Sequence, residues 1–110
     1  MKKQYTFLIV VAILALLVVG ITQCQTKNKN PSWINDMISK PKNERPMQIY
    51  SCSGYGNPTY LVLAPCCDNF NTLYDQAGNK ICSPSGGLTG RGDGRCADFN
   101  ISMCKSIWKN

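Results

Sequence analysis

Cysteine is the residue type with the most chemical potential in this sequence. The 110 residues include seven cysteines and no histidine. Without histidine, Ser-His-Asp and Cys-His catalysis and histidine-containing zinc sites are excluded. No C-x-x-C pair occurs either, which argues against a zinc site built from cysteine alone. The cysteines therefore predict disulfide bonds in an oxidising compartment. Six of them are disulfide candidates: Cys52, Cys66, Cys67, Cys82, Cys96 and Cys104.

Cys66 and Cys67 are adjacent in the chain. A bond between neighbouring cysteines closes a strained eight-membered ring, whereas successive side chains of a strand point to opposite faces. The pair is therefore predicted to have two different partners, one on each side of the local strand. The alternative is a thiol-redox protein that uses Cys66 and Cys67 as a labile pair. Against it, no lysine, arginine or histidine lies nearby in sequence to lower a thiol pKa.

Three aspartates near the glycine-rich stretch are weak calcium candidates: Asp68, Asp93 and Asp98. Calcium binds several carboxylate and carbonyl oxygens, often around a glycine turn, but the spacing here does not match an EF-hand loop. The competing interpretation is that these aspartates cap turns and pair with Arg91 or Arg95. The sequence favours the second interpretation, so no metal site and no cofactor are predicted.

The net charge of +6 is concentrated at the start of the chain. Four lysines and no acid occur in the first thirty residues, and the remaining eight basic and six acidic residues nearly balance. No basic cluster with interleaved aromatic residues follows. Nucleic acid is therefore not a predicted partner.

Residues 1–24 are predicted to be an export segment. Two lysines precede an uncharged apolar run, Phe7 to Ile21, which suits a signal-peptide core better than a spanning helix of about 20 residues. Ile21 and Cys24 fit a lipoprotein signal, although Gln23 does not. Lipidation of Cys24 would explain the odd cysteine count; the alternative is an uncleaved membrane anchor. Both place the protein in a cell envelope, anchored to a membrane, with its domain on the extracytoplasmic side.

The rest of the chain predicts a polar tether at 25–31 and one small domain at 32–110. A helix is predicted from Ser32, which can cap it, to Pro41, with a buried apolar stripe. Strands are predicted at 47–52 and 59–64, the second of them central, followed by a hairpin around Gly78. Residues 83–95 are predicted to be loop, and the tail to form an edge strand or an irregular arm through Trp108. The fold class is therefore α+β: one N-terminal helix packed on a small antiparallel, disulfide-stapled sheet, with a glycine-rich loop.

Residues 66–99 contain C-C-D, then L-Y-D-x-x-G-N-x-I-C-x-P-x-G-G, then G-D-G-x-C-x-D-F. This pattern resembles an uncharacterised family of short bacterial envelope proteins that carry a domain of unknown function behind a lipoprotein-like signal. Cys52 and Cys104 are additional to the four cysteines of that pattern, which implies that they pair with each other. Cys66 and Cys67 would then share Cys82 and Cys96, in either of two arrangements.

Two function classes follow from these observations. The first, which we favour, is a non-catalytic interaction module that presents the loop at 83–95, with Tyr55 and Trp108, to an envelope or extracellular protein. The serines have no base to activate them, so no enzyme activity is predicted. The second is the thiol-redox protein described above, with weak calcium binding as a further alternative.

Overall fold

The computed structural model describes residues 2–21 and 29–110, with the side chains of residues 2–16 and 29–110. It contains helices α1 (Lys2–Ile21) and α2 (Ser32–Ile38), and a short 3-10 helix at Ile101–Met103. The strands are β1 (Gln48–Cys52), β2 (Thr59–Leu63), β3 (Phe70–Tyr74), β4 (Lys80–Gly86) and β5 (Cys104–Lys109). Cys24 and most of the predicted tether lie outside the described residues. Among the described helices, none combines the length and the apolar character needed to cross a membrane.

The five strands form one antiparallel sheet in the order β4-β3-β2-β1-β5. This confirms the α+β prediction, and the nearly continuous apolar run T-Y-L-V-L is indeed the central strand, with its first four residues buried. The tail is the edge strand β5 rather than an irregular arm.

Strand β4 continues to Gly86, so the prediction of loop from residue 83 was wrong. Pairing of Asn71 with Ser85 and of Phe70 with Gly86 extends the ladder through the S-P-S-G segment. Proline is tolerated there because β4 lies at the edge of the sheet, where one side of the strand needs no ladder hydrogen bond.

Helix α2 covers one face of the sheet. Ile34 is fully buried against Ile49, Tyr60 and Val62. The indole N–H of Trp33 donates to the Gln76 carbonyl at 3.0 Å, which ties the helix to the β3–β4 turn. The predicted apolar stripe is therefore present and packs on the sheet.

The start of α2 differs from the prediction. Ser32 lies inside the first turn, Pro31 occupies the N-cap position, and no side chain caps the helix. The Pro31 carbonyl accepts the Ile34 N–H at 3.0 Å. The ring of Pro31 fixes its φ angle at the start of the helix, so no side-chain cap from Ser32 is needed to set the backbone conformation there.

The opposite face of the sheet is covered by the segment that follows β4. Leu61 and Leu73 pack there with buried Cys82 and Cys96, and Phe99 lies over them. Both faces of a small sheet are thus covered, one by a helix and one by a stapled loop.

Candidate functional site

Of the three disulfides among the described residues, one joins two strands of the sheet and one joins a strand to the segment that follows it. Cys52 and Cys104 are register partners on β1 and β5, with their Cα atoms 4.0 Å apart. This is the pair implied by the family resemblance. Cys82 on β4 is bonded to Cys96 beyond the loop, with a Cα separation of 6.1 Å.

Cys66 and Cys67 are bonded to each other, so the prediction that they share Cys82 and Cys96 was wrong. The prediction assumed that the pair lies on a local strand, but no strand occurs between β2, which ends at Leu63, and β3, which begins at Phe70. The two cysteines lie in the β2–β3 turn, and Cys67 has a left-handed backbone with φ of 66°. The alternation of side chains that applies to strands does not hold there.

The segment of residues 87–95, here called the glycine loop, folds back along the outer edge of β4. Asp93 and Ser83 form a reciprocal pair: the Asp93 N–H donates to the Ser83 carbonyl at 2.9 Å, and the Ser83 N–H donates to the Asp93 carboxylate at 3.0 Å. The same carboxylate accepts the Arg95 N–H at 3.0 Å. The Arg95 guanidinium donates to the Ile81 carbonyl. The loop is therefore fixed at its base and also shields the free edge of β4.

The three calcium candidates are not brought together. Asp93 is used within the glycine loop, Asp98 accepts a hydrogen bond from the Tyr55 hydroxyl, and Asp68 is exposed in the β2–β3 turn. Within residues 2–21 and 29–110, no three acidic, cysteine or histidine side chains form a group that could hold a metal ion. Asp93 follows the competing interpretation, since it caps a turn and lies 3.9 Å from the Arg95 guanidinium.

An open groove of about 250 Å³ lies beside α2, on the same face of the sheet. Its lining comes from the helix, the segment that follows it, strands β2 and β3 and the turn between them. It combines apolar residues (Met37, Pro46, Val62, Ala64, Pro65, Phe70 and Tyr74) with polar and charged ones (Lys40, Glu44, Asn69 and Thr72). Phe70 is 45% exposed, and its ring lies directly against Gly87 at the start of the glycine loop. The next residue, Leu88, is 87% exposed. The groove, Phe70 and Leu88 are here called together the Phe70–Leu88 surface, because the contact between Gly87 and Phe70 places Leu88 one residue along the chain from the groove lining.

The sequence pattern did not single out Phe70 or Leu88. Each is an isolated apolar residue among polar and glycine neighbours, and only the fold shows that Phe70 contacts Gly87, the residue before Leu88. Of the aromatic residues that were singled out, Tyr55 is 41% exposed beside Phe99, whereas Trp108 packs half-buried against the helix-side core.

A known protein family covers most of this architecture. The family described as domain of unknown function DUF6970 matches residues 35–110. The chain belongs to the DUF6970 family. No curated protein and no solved structure matches it.

The DUF6970 region begins within α2 and includes all five strands. The three disulfides, the glycine loop and the Phe70–Leu88 surface all lie within it.

The Asp93 carboxylate gives the DUF6970 domain a predictable response to acid. The Arg95 N–H, then the Ser83 N–H and the charges of Arg95 and Lys80, hold the pKa of Asp93 below its ordinary value of 3.8, against the opposing effect of burial. A folded-state pKa below the unfolded one stabilises the protein above pH 3.8, and this contribution is lost as the pH falls through the lower value.

We therefore expect Asp93→Asn to lower the urea midpoint at neutral pH and to weaken its decline in acid. Some decline should remain, because hydrogen bonds from Asn79 likewise lower the pKa of Asp75. The measurement is urea unfolding followed by circular dichroism between pH 2 and 7. Asp68→Asn, at an exposed carboxylate, is the control and should leave the midpoint unchanged. An Asp93→Asn midpoint equal to that of the wild type at neutral pH would contradict this assignment.

Proposed function

We propose that this DUF6970 protein is a non-catalytic binding module of a bacterial cell envelope, tethered to a membrane, which contacts a protein partner through the Phe70–Leu88 surface. The observation that carries the proposal is Leu88, which is 87% exposed on a loop fixed to the sheet. Single exposed apolar residues are common, but this one follows Gly87, which contacts the exposed Phe70 ring in the lining of the groove.

The construction of the glycine loop supports binding. The Cys82–Cys96 bond, the Asp93 carboxylate and the Arg95 guanidinium hold its base against β4. A loop that is already ordered loses less conformational entropy when a partner docks. A rigid loop that exposes leucine one residue from the contact between Gly87 and Phe70 suits insertion into an apolar pocket of another protein, because a few fully buried residues near the centre of an interface contribute most of its binding energy.

The composition of the first 24 residues supports the tether. Lys2 and Lys3 precede the apolar run of Phe7 to Ile21, and Cys24 follows in a lipoprotein-like position. In the structure this run is helical, and its described side chains are exposed. The disulfides support an extracytoplasmic location, since such bonds persist in oxidising compartments. Lipidation of Cys24, or retention of the segment as an anchor, would hold the domain at the membrane.

Site-specific photo-crosslinking of the full-length protein in its native cells tests the binding proposal. A photo-reactive residue substituted for Thr89, next to Leu88, should form an adduct with one envelope protein. Because a central anchor contributes more than about 1.4 kcal/mol, Leu88→Asp should lower the adduct yield at least tenfold. Ile101→Asp, at a residue 54% exposed on the 3-10 helix, is the matched control and should not change the yield. Equal yields from the two variants would refute the proposed surface.

A further inference from the structure

We infer that the Cys66–Cys67 bond is a thiol–disulfide exchange site, which external thiols open while the other two disulfides stay closed. The substrate class is a thiol, either a small molecule of the glutathione type or the dithiol of a reductase. This goes beyond the binding function proposed above and does not depend on it.

The fold depends little on this bond. A disulfide stabilises a protein mainly by restricting the unfolded chain, and the restriction grows with the length of the closed loop. Cys66 and Cys67 are separated by 1 in sequence, against 52 and 14 for the other two pairs. Opening the bond therefore releases almost no additional chain freedom, and the sheet can remain folded while the pair is reduced.

The two sulfurs are also accessible. Cys66 and Cys67 are both exposed in the β2–β3 turn, whereas Cys52, Cys82 and Cys96 are 2–3% exposed within the core. Exchange requires a thiolate to approach one sulfur of the bond. Burial of both cysteines protects the Cys82–Cys96 bond, and the Cys52–Cys104 bond can be reached only at Cys104, which is half-buried.

The backbone at the turn favours opening as well. Cys67 has a φ of 66°, in the left-handed region that residues other than glycine rarely adopt. The closed bond holds the Cys67 sulfur against that of Cys66, and this limits the backbone angles that Cys67 can adopt. Once the bond is open, the backbone of Cys67 can relax to ordinary angles.

The exchange is balanced without any further reactant. A thiolate attacks one sulfur of the pair and forms a mixed disulfide, while the other cysteine leaves as a thiolate and takes up a proton. A second thiolate then attacks the mixed disulfide, which yields the Cys66–Cys67 dithiol and an oxidised disulfide of the attacking thiol. Two electrons pass from the external thiols to the pair. In the reverse direction the dithiol reduces an external disulfide.

The other described cysteines take no part in this cycle, because they form the two pairs within the sheet and loop. The reduced pair would therefore close again on itself.

Differential alkylation of the purified full-length protein tests the inference. The protein is equilibrated in glutathione buffers of increasing reducing strength, quenched with iodoacetamide and mapped by mass spectrometry. We expect Cys66 and Cys67 to be alkylated together at a glutathione ratio at least tenfold less reducing than either other pair requires. A glutathione adduct on one of the two should appear at intermediate ratios. Circular dichroism should show that the fold is retained at that point.

The double variant Cys66→Ser/Cys67→Ser is the control. This variant should keep the fold. It should show no alkylation at the mildly reducing ratios, while the other two disulfides open at the same ratios as in the wild type. Simultaneous opening of all three disulfides would overturn the inference. So would peptide mapping that joins Cys66 or Cys67 to a cysteine elsewhere in the oxidised protein.

Discussion

Replacing Cys52 and Cys104 together by alanine should lower the free energy of unfolding by about 4 kcal/mol. The two residues are 52 apart in sequence, and the entropy lost by the unfolded chain grows with the logarithm of the closed loop. The bond also joins the edge strand β5 to β1, and Cys52 is buried in the core. For a domain of this size, a loss of about 4 kcal/mol approaches the whole stability of about 5 kcal/mol at the low end of the usual range.

The contributions of the other two disulfides to the free energy of unfolding should decrease with the length of the loop that each closes. The Cys82–Cys96 pair, 14 apart, should contribute about 3 kcal/mol, and the Cys66–Cys67 pair less than about 1 kcal/mol. Urea unfolding of the three alanine double variants, measured by tryptophan fluorescence, checks the ranking. The Cys66→Ala/Cys67→Ala variant keeps the comparison informative if either of the others fails to fold. A large loss from that variant, or a negligible loss from removing Cys52–Cys104, would contradict the loop-length argument.

Local patterns in the sequence were sufficient to predict the elements whose own apolar residues are buried in the core. The T-Y-L-V-L run could hardly be other than a central strand, and Trp33 and Ile34 predicted a helix packed on the sheet. The type of each of these elements is decided by its own residues, whose apolar side chains are buried when the sheet forms. The prediction of α+β rested on them.

The errors occurred where partners distant in sequence decide the structure. The S-P-S-G segment has the composition of a loop, but pairing with β3 makes it a strand. The adjacent cysteines suggested two separate partners, because the sequence does not show that they lie in a turn rather than on a local strand. Strand ends and the pairing of cysteines are set by tertiary contacts, which a local pattern does not contain.

The candidate site was predictable only in part. The sequence predicted that the glycine-rich segment presents an exposed loop, and residues 88–91 of the glycine loop are indeed exposed. Leu88 and Phe70 are 18 positions apart, in segments that look unrelated until β3 and β4 pair. The Phe70–Leu88 surface is therefore a product of sheet register rather than of any motif.

The glycine loop offers a second large effect, at Gly92. Gly92→Ala should lower the free energy of unfolding by roughly 2–5 kcal/mol, the sum of a left-handed backbone cost of roughly 1–2 kcal/mol and an overpacking cost of roughly 1–3 kcal/mol. Gly92 has a φ of +74°, and an added Cβ would overlap the Ser83 carbonyl oxygen and lie 2.7–2.8 Å from the backbone of Pro84 and Ser85. A strand backbone cannot move aside as a flexible side chain can, so the loop would have to leave the edge of β4.

Gly90 and Gly94 separate the two costs, because they have nearly the same backbone angle as Gly92, with φ of +74° and +77°, but an added Cβ would meet nothing within 4 Å. Alanine at either position should therefore lower the unfolding free energy by only about 1–2 kcal/mol, the cost of the left-handed backbone. Thermal and urea unfolding of the three variants measure the difference. Equal losses at all three positions would mean that the glycine loop does not lie against β4. A larger loss from Gly92→Ala than from the other two variants would show that close packing along this edge, in addition to turn geometry, requires glycine at position 92.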